Sequence, residues 1–437
     1  MQDIITIYAE DCSIFHNQEG HTEAIQFFIA NRKLINIFQL ETKAREDQEI
    51  AYFNYKDAKW YAGRLIGESF FSFNQQNYKI VITPRFGNIQ LFKMLEEIYN
   101  IKFLNSKTSA QKQSDYTFIV KTIISFLWLN LLSKANKHGI PRNNVPQQYK
   151  GSTVRGKIDV RKSIQLIYTE KKIVSHYSEK IADATITKIL ASALKILKSE
   201  YNLGVIKQSL ASKNAIEQIN SSHVMKKHIA ELDYKKIKYN AIYLPFKPVV
   251  DLSWDIIKGK NFGNNEDQRN DGISFFLDMA EIWEIYLRNI LKKELAREGW
   301  ILKKDVILTY TGTDFSRKLI PDIVFEKGDD IMVWDAKYKR MKFDYFDYDR
   351  TDFFQIHTYI SYYKEKKNVF AGGLLYPLSN EFNETRQLGN KSCSLFSESK
   401  TQMHYIIDGI DYSQINEDKI IEEEQKFLKR ISSLAKF

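Results

Sequence analysis

"LIPDIVFEKGDDIMVWDAKYK", residues 319–339, decides the fold of the C-terminal part of this chain. Two apolar runs, "IVF" at 323–325 and "IMVW" at 331–334, flank "EKGDD" at 326–330, in which Gly328-Asp329 reads as a tight β-hairpin loop. Glycine in the first loop position suits a type II′ turn, the kind that two-residue hairpins favour. Lys327 then faces Asp330, and pairing outward from there sets Asp322 opposite Asp335. Cross-strand partners share a face and lie about 5 Å apart at Cβ. Lys337 is two residues beyond Asp335 and so shares that face. Three charged groups converge on one patch beside Ile331 and Val333, where unpaired charge would be costly to bury.

Two carboxylates this close repel, and one stays protonated unless a cation holds both. Hard oxygen ligands suit Mg²⁺ or Mn²⁺. A lysine beside such an ion can orient an attacking water and stabilise charge developing on a phosphate. The pattern therefore serves metal-assisted phosphodiester hydrolysis. It serves a structural salt bridge from Lys337 to Asp335 or Asp322 equally well, because the motif is short. Two further features bear on the choice. In "ISFFLDMAEIWEIYLRNILKKELAREG" the apolar stripe Ile273, Leu277, Ala280, Leu287, Leu291 has Glu284 near its polar edge, and an acid there calls for a cation. In "DRTDFFQIHTYISYYKEKK", Gln355 and Tyr359 stand at i and i+4 on one helix face, able to position a phosphate or order a ligand. Amphipathic helices carry such residues routinely, and His357, on another face, is read as incidental.

Outward from this core, the spacing predicts a helix over 273–298, strands near 304–311, 318–326 and 330–338, a helix over 349–366 and a strand over 368–376. This is an α/β or α+β order with its own core, assigned to residues 271–437. Residues 259–272, rich in Gly, Asn and Asp, read as a linker. Residues 1–115 form a strand-rich N-terminal domain, closed by a helical stretch from Asn88. A helical middle region spans 116–270, with helices over 116–137 and 180–201 divided by a polar loop. Its Lys-rich stretch beyond 200 reads more simply as a solvated helical face than as an interface or DNA-contacting arm.

Composition sets the outer limits. The 437 residues are 43% apolar and 27% charged, and 28 Phe and 25 Tyr supply ample core material. A net charge of +10 favours a polyanionic partner, though the charge is diffuse. Two cysteines, Cys12 and Cys393, exclude a disulfide framework and argue against a cysteine zinc site. "GSTVRGK" at 151–157 has the glycine and lysine spacing of a phosphate-binding loop, but Ile158 stands where Ser or Thr would bind magnesium. A surface turn is the better reading, and no nucleotide site is expected. "TFIVKTIISFLWLNLL" at 117–132 is too short to cross a bilayer and carries Lys121, so it reads as a buried helix. With no signal peptide apparent, the cytoplasm is the expected location.

"PDIVF…DAKYK", "FFLDMAEIWEIYL" and "QIHTYISYY…GGLLYP" resemble the PD-(D/E)XK (restriction-endonuclease-like) nuclease core, specifically that of the McrC family. "KWYAGRLIGES", "ITPRFGNIQLFKMLEEIY" and "YKGSTVRGKIDV" extend the resemblance over most of the chain. It implies a DNA endonuclease subunit of an McrBC-type restriction system, with Asp322, Asp335 and Lys337 as the catalytic triad. Glu284 would be the acid from the first helix of that fold, joining Asp322 and Asp335 at Mg²⁺ or Mn²⁺. Gln355 and Tyr359 match the Q-x-x-x-Y element of related cores. The implied partners are a hexameric McrB-like AAA+ GTPase, docked through the N-terminal half and stimulated by it, and double-stranded DNA carrying a modified base such as methylcytosine. GTP would act only through that partner, and two nuclease subunits could meet in the assembled complex. The alternatives are a standalone nuclease of the same core and a non-catalytic subunit that only activates the GTPase.

Overall fold

The computed structural model describes residues 4–31, 35, 37, 38, 40, 49–99, 102, 103, 116–221, 231–261, 274–339, 350–378, 392–394, 402–414 and 416–434. The chain is a mixture of helices and sheets, an α/β architecture. It divides into two compact units: Met1–Phe103 with Gly272–Phe437, and Leu104–Asp271. The segments read as a first and a third domain thus share one unit.

In that shared unit, strands β1 (Ile5–Glu10), β2 (Ile37–Phe38), β5 (Leu65–Phe73) and β6 (Gln76–Thr83) belong to one sheet. Helix α1 (Thr22–Ala30) packs on it, and β3 (Ala51–Asn54) pairs with β4 (Lys59–Ala62) beside it. β5 and β6 are joined by Asn74-Gln75, both with positive φ (49° and 63°), which gives the right-handed twist a two-residue hairpin needs. Helix α2 (Asn88–Tyr99) follows. The sheet is completed from far along the sequence by β7 (Phe275–Asp278), giving the order β1-β6-β5-β7-β2. Here the predicted helix start at 273 is corrected. Phe275, Phe276, Leu277 and Asp278 are all buried, and β7 pairs antiparallel with β5 and parallel with β2. An apolar run buried on both faces suits a strand inside a sheet as well as a helix, so periodicity alone could not separate them. Helix α3 (Met279–Leu295) begins only where the Asp278 side chain accepts from the Ala280 N–H at 2.9 Å, an N-cap.

The second sheet has the order β8 (Ile301–Lys303), β11 (Ile323–Lys327), β12 (Asp330–Ala336), β13 (Asn368–Leu378), β15 (Gln402–Asp411), β14 (Ser392–Ser394). A small hairpin, β9 (Ile307–Thr309) with β10 (Arg317–Leu319), precedes β11. The predicted strand over 318–326 is therefore two strands, broken at Ile320-Pro321, where proline cannot donate to a ladder. β12 runs parallel to β13 on one side and antiparallel to β11 on the other. Helix α4 (Arg350–Lys364) covers the face bearing Ile331 and Val333 with Ile356, Tyr359, Ile360 and Tyr363. Helices α3 and α5 (Glu417–Leu434) also pack on this sheet, and the Trp283 indole donates to the Leu375 carbonyl at 3.1 Å.

The other unit gathers helices Tyr116–Ala135, Ala184–Glu200, Leu210–Ser221 and Phe246–Asn261. The apolar run at 117–132 lies in the first of these, where Trp128 donates to Ser253 Oγ at 2.7 Å. Among the described residues no helix is long and apolar enough to cross a membrane. The polar stretch expected as a loop before 160 is instead strands Arg142–Gly151 and Lys157–Ile158, paired with Ile173–Ala182. Most of this ribbon's side chains are exposed, so it lacks the apolar alternation that marks a strand with one buried face. "GSTVRGK" forms the turn between two of these strands, with Gly156 at φ 75°. Of the expected linker, residues 262–272 lie outside the described residues.

Candidate active site

The hairpin has the register that its turn requires. Lys327 pairs with Asp330 and Ile323 with Trp334, and continuing outward brings Asp322 opposite Asp335. Gly328, at φ 60°, opens the two-residue turn. Asp335 is only 1% exposed, in the strand between β11 and β13. The Asp322 carboxylate accepts from the Ala336 N–H at 2.9 Å, which fixes it against the end of β12.

Lys337 extends the same face. Its Nζ lies 2.6 Å from Asp335 Oδ2 and donates to Gln355 Oε1 at 2.6 Å. Gln355 Nε2 in turn donates to the Tyr359 hydroxyl at 3.0 Å, and that hydroxyl donates to the Ile320 carbonyl at 3.5 Å. Five of the six expected site residues, Asp322, Asp335, Lys337, Gln355 and Tyr359, are thus linked in one connected cluster. Helix α4 supplies Gln355 and Tyr359 one turn apart, as their spacing requires.

Glu284 is placed differently. It lies buried on α3, paired with Arg288 one turn further on. Among the described residues no group of three His, Cys, Asp or Glu is arranged to hold a metal ion, so Glu284 does not close a three-acid cluster with Asp322 and Asp335. Asp352 occupies the third acidic place beside Lys337, and the sequence reading missed it. Its Oδ1 lies 3.5 Å from Lys337 Nζ, its Oδ2 2.5 Å from Lys339 Nζ, and it accepts from the Tyr376 hydroxyl at 3.2 Å. Its signal was available: residues 352, 355 and 359 recur on one helix face.

Burial raises the Asp335 carboxyl above its usual range, with Lys337 and Asp322 opposing and Asp352 adding to the rise. Burial works to lower the Lys337 ammonium, but Asp335, Asp352 and Asp322 outweigh it and the net shift is upward. Lys337 is therefore firmly cationic at neutral pH. Burial likewise pushes the Tyr359 hydroxyl up to about 12, so it stays a hydrogen-bond donor.

The donor set fits a hard divalent cation. Asp335 Oδ2 is buried and, despite the nearby ammonium, has no hydrogen bond of proper geometry among the described residues. That oxygen is ion-paired with Lys337 at 2.6 Å, so the fit rests on the chemistry of the donors: two carboxylates offering hard oxygens from facing positions of one hairpin. Asp322 and Asp335 are the residues that would hold such an ion.

Comparisons with known proteins place this geometry in context. A family model described as McrBC 5-methylcytosine restriction system component matches residues 70–377. Among solved structures, the chain resembles one in the McrC-bound half-complex refined from a tetradecameric assembly of Thermococcus gammatolerans McrB AAA+ hexamers. Identity is 15% and the TM-score 0.53, covering 99% of this chain and 100% of that one. A second match, the cryo-EM structure of the Thermococcus gammatolerans McrBC complex, has 15% identity and a TM-score of 0.33, covering 67% of this chain and 88% of that one. A search of curated proteins finds no match.

Proposed function

The chain belongs to the McrBC 5-methylcytosine restriction system component family, and from that premise we propose that it is the DNA endonuclease subunit of a GTP-driven restriction complex. The observation that carries this reading is the convergence of Asp322, Asp335 and Lys337 on one face of a hairpin, backed by Gln355 and Tyr359. A PD-(D/E)XK core is the arrangement this cluster suits. A Mg²⁺ or Mn²⁺ ion held by Asp322 and Asp335 would supply charge neutralisation at the scissile phosphate and a more acidic attacking water. Lys337, kept protonated by the acids around it, acts as a fixed cation toward developing phosphate charge rather than as a base. Gln355 aims that ammonium, and Tyr359 braces Gln355 against the Ile320 backbone, so the cation is positioned before substrate arrives.

The partner reading follows from the resemblance to a chain solved with McrB AAA+ hexamers. A hexameric AAA+ GTPase would dock on this subunit and be stimulated by it, and double-stranded DNA carrying a modified base would be the substrate. A second reading, a subunit that activates the GTPase without cutting, is favoured by one observation: Lys337 is already ion-paired with Asp335.

The test is co-purification with the AAA+ partner, then plasmid cleavage with GTP and Mg²⁺ on methylated and unmethylated DNA. Asp335→Ala should abolish cutting while leaving GTPase stimulation intact. Cutting that survives in this variant sinks the site assignment. An intact chain that stimulates GTP hydrolysis but never cuts establishes the second reading. Cutting with no partner and no GTP establishes a standalone nuclease.

A further inference from the structure

The β9–β10 hairpin is anchored at its base and bare at its tip. Ile307 is buried, and Leu319 packs against the core beneath α4. Beyond Thr309 and Arg317 the chain leaves the body, and Tyr310 and Phe315 are 71% and 76% exposed. Leaving two large aromatic faces in water forgoes burial that a core would reward. The basic residues Lys304, Arg317 and Lys318 make no ion pair among the described residues, and Arg317 donates only to its neighbour's carbonyl.

The tip also carries local hydrogen bonds of its own. Tyr310 sits at φ 51°, a strained conformation for an aromatic residue. It is held there because its carbonyl accepts from the Thr313 N–H at 3.2 Å and the Thr313 hydroxyl at 2.8 Å. Strain maintained by local hydrogen bonds at an exposed tip is a mark of a pre-formed binding element.

Position supplies the occupant. Asp322 lies three positions beyond Leu319, at most about 10 Å of extended chain. From Phe315 to Asp322 is seven residues, so the aromatic tip lies within about 25 Å of the candidate site. At about 3.4 Å rise per base pair, that is no more than some seven base pairs. The major groove admits a two-stranded β-ribbon. Aromatic side chains at the tip, on either side of the single acid Asp314, with basic side chains at the base, match base, sugar and phosphate surfaces of DNA.

We propose that the Ile307–Leu319 hairpin grips the DNA duplex beside the scissile phosphate, with Lys304 and Lys318 on backbone phosphates and Tyr310 and Phe315 against groove surfaces. This rests on the endonuclease reading. The two are tested separately by using full-length chain carrying Asp335→Ala, which cuts nothing during a titration, and a short labelled duplex oligonucleotide over a salt series. In that background Lys304→Ala and Lys318→Ala should each flatten the slope of log affinity against log salt by about 0.9, one phosphate contact apiece. Tyr310→Ala with Phe315→Ala should weaken affinity about tenfold at every salt concentration without changing the slope. All of these residues are exposed or at the hairpin, so circular dichroism should be unchanged. Duplex affinity and salt slope equal to the parent in all variants overturn the proposal. So does intact duplex binding combined with lost co-purification of the AAA+ partner, which makes the hairpin a protein contact. If hairpin variants with Asp335 intact cut like wild type in the assembled complex while Asp335→Ala does not, the grip fails and the nuclease reading stands. If the intact complex neither binds nor cuts the duplex, both fall.

Discussion

Asp335 is the residue on which chemistry and stability disagree. Burial raises its carboxyl pKa above the usual 3.8, so its ionisation opposes folding. For a group raised in this way, the contribution to stability is intact below the unfolded value and is lost as pH rises through the folded one. Asp335→Asn, which cannot ionise, should therefore gain in Tm relative to wild type as pH climbs above about 3.8. Thermal unfolding of metal-free protein across a pH series in EDTA measures this, and a difference that shrinks with rising pH contradicts it. Manganese should then raise the wild-type Tm, by about 2.7 kcal/mol of stability at a hundredfold excess over Kd, and leave the Asn variant unmoved. An equal shift in both would remove Asp335 from the cation site. At this scale much was legible. A two-residue turn permits one register, and one register puts residues 322 and 335 face to face. Asp352 shares a helix face with Gln355 and Tyr359, but a lone acid on a helix is ordinarily solvated, and only the folded structure sets it between Lys337 and Lys339. For Glu284 the helix face was readable, but the Arg288 partner that holds its carboxylate was overlooked.

Elements were legible where one face meets a core and the other meets water. α4 and β12 run close to their predicted bounds because their apolar residues fall on one side or in a short unbroken run. β7 was not, since a strand buried on both faces has no period to read. What it does have is a glycine opposite it. Gly67 on β5 pairs with Phe276, and a Cβ at Gly67 would lie 2.0 Å from the Phe275 carbonyl oxygen. Both are backbone positions in a ladder, so neither can step aside cheaply. Gly67→Ala should cost about 1–3 kcal/mol or more by urea unfolding, whereas Gly204→Ala, where nothing lies within 4 Å of the added methyl, should be neutral or slightly stabilising. Equal effects at the two glycines would mean that β7 does not sit against β5 this closely. The exposed ribbon of residues 142–182 escaped for the opposite reason, having too little core to leave a pattern.

At the scale of the molecule, the N-terminal and C-terminal segments form one unit through contacts that no local pattern encodes. The end of β1 and the loop after β6 meet the residue following Lys337. Asp11 is fully buried and accepts from the Arg85 N–H at 2.6 Å, with Arg85 Nε 3.8 Å from its second oxygen. The Arg85 guanidinium lies 4.7 Å from the Phe86 ring centroid and 4.6 Å from that of Tyr338, and none of its nitrogens makes a hydrogen bond among the described residues. Burial raises the Asp11 carboxyl, and Arg85 is the charge that opposes the rise. The arginine therefore does two things at once: it neutralises a buried acid and it stacks on the aromatic neighbour of Lys337. Sequence reading had "ITPRFG" and "DAKYK" as separate motifs, because positions 11, 85 and 338 are linked only by folding. Arg85→Met should then cost about 3–5 kcal/mol, since it strands Asp11 as an uncompensated buried charge. Adding Asp11→Asn should restore part of that loss, giving a coupling of about 0.5–3 kcal/mol in a double-mutant cycle followed by urea unfolding. Strictly additive losses would mean that the two side chains do not hold one another, and that the joint between the N-terminal sheet and the end of β12 rests on the aromatic packing of Phe86, Tyr338 and Tyr412 instead.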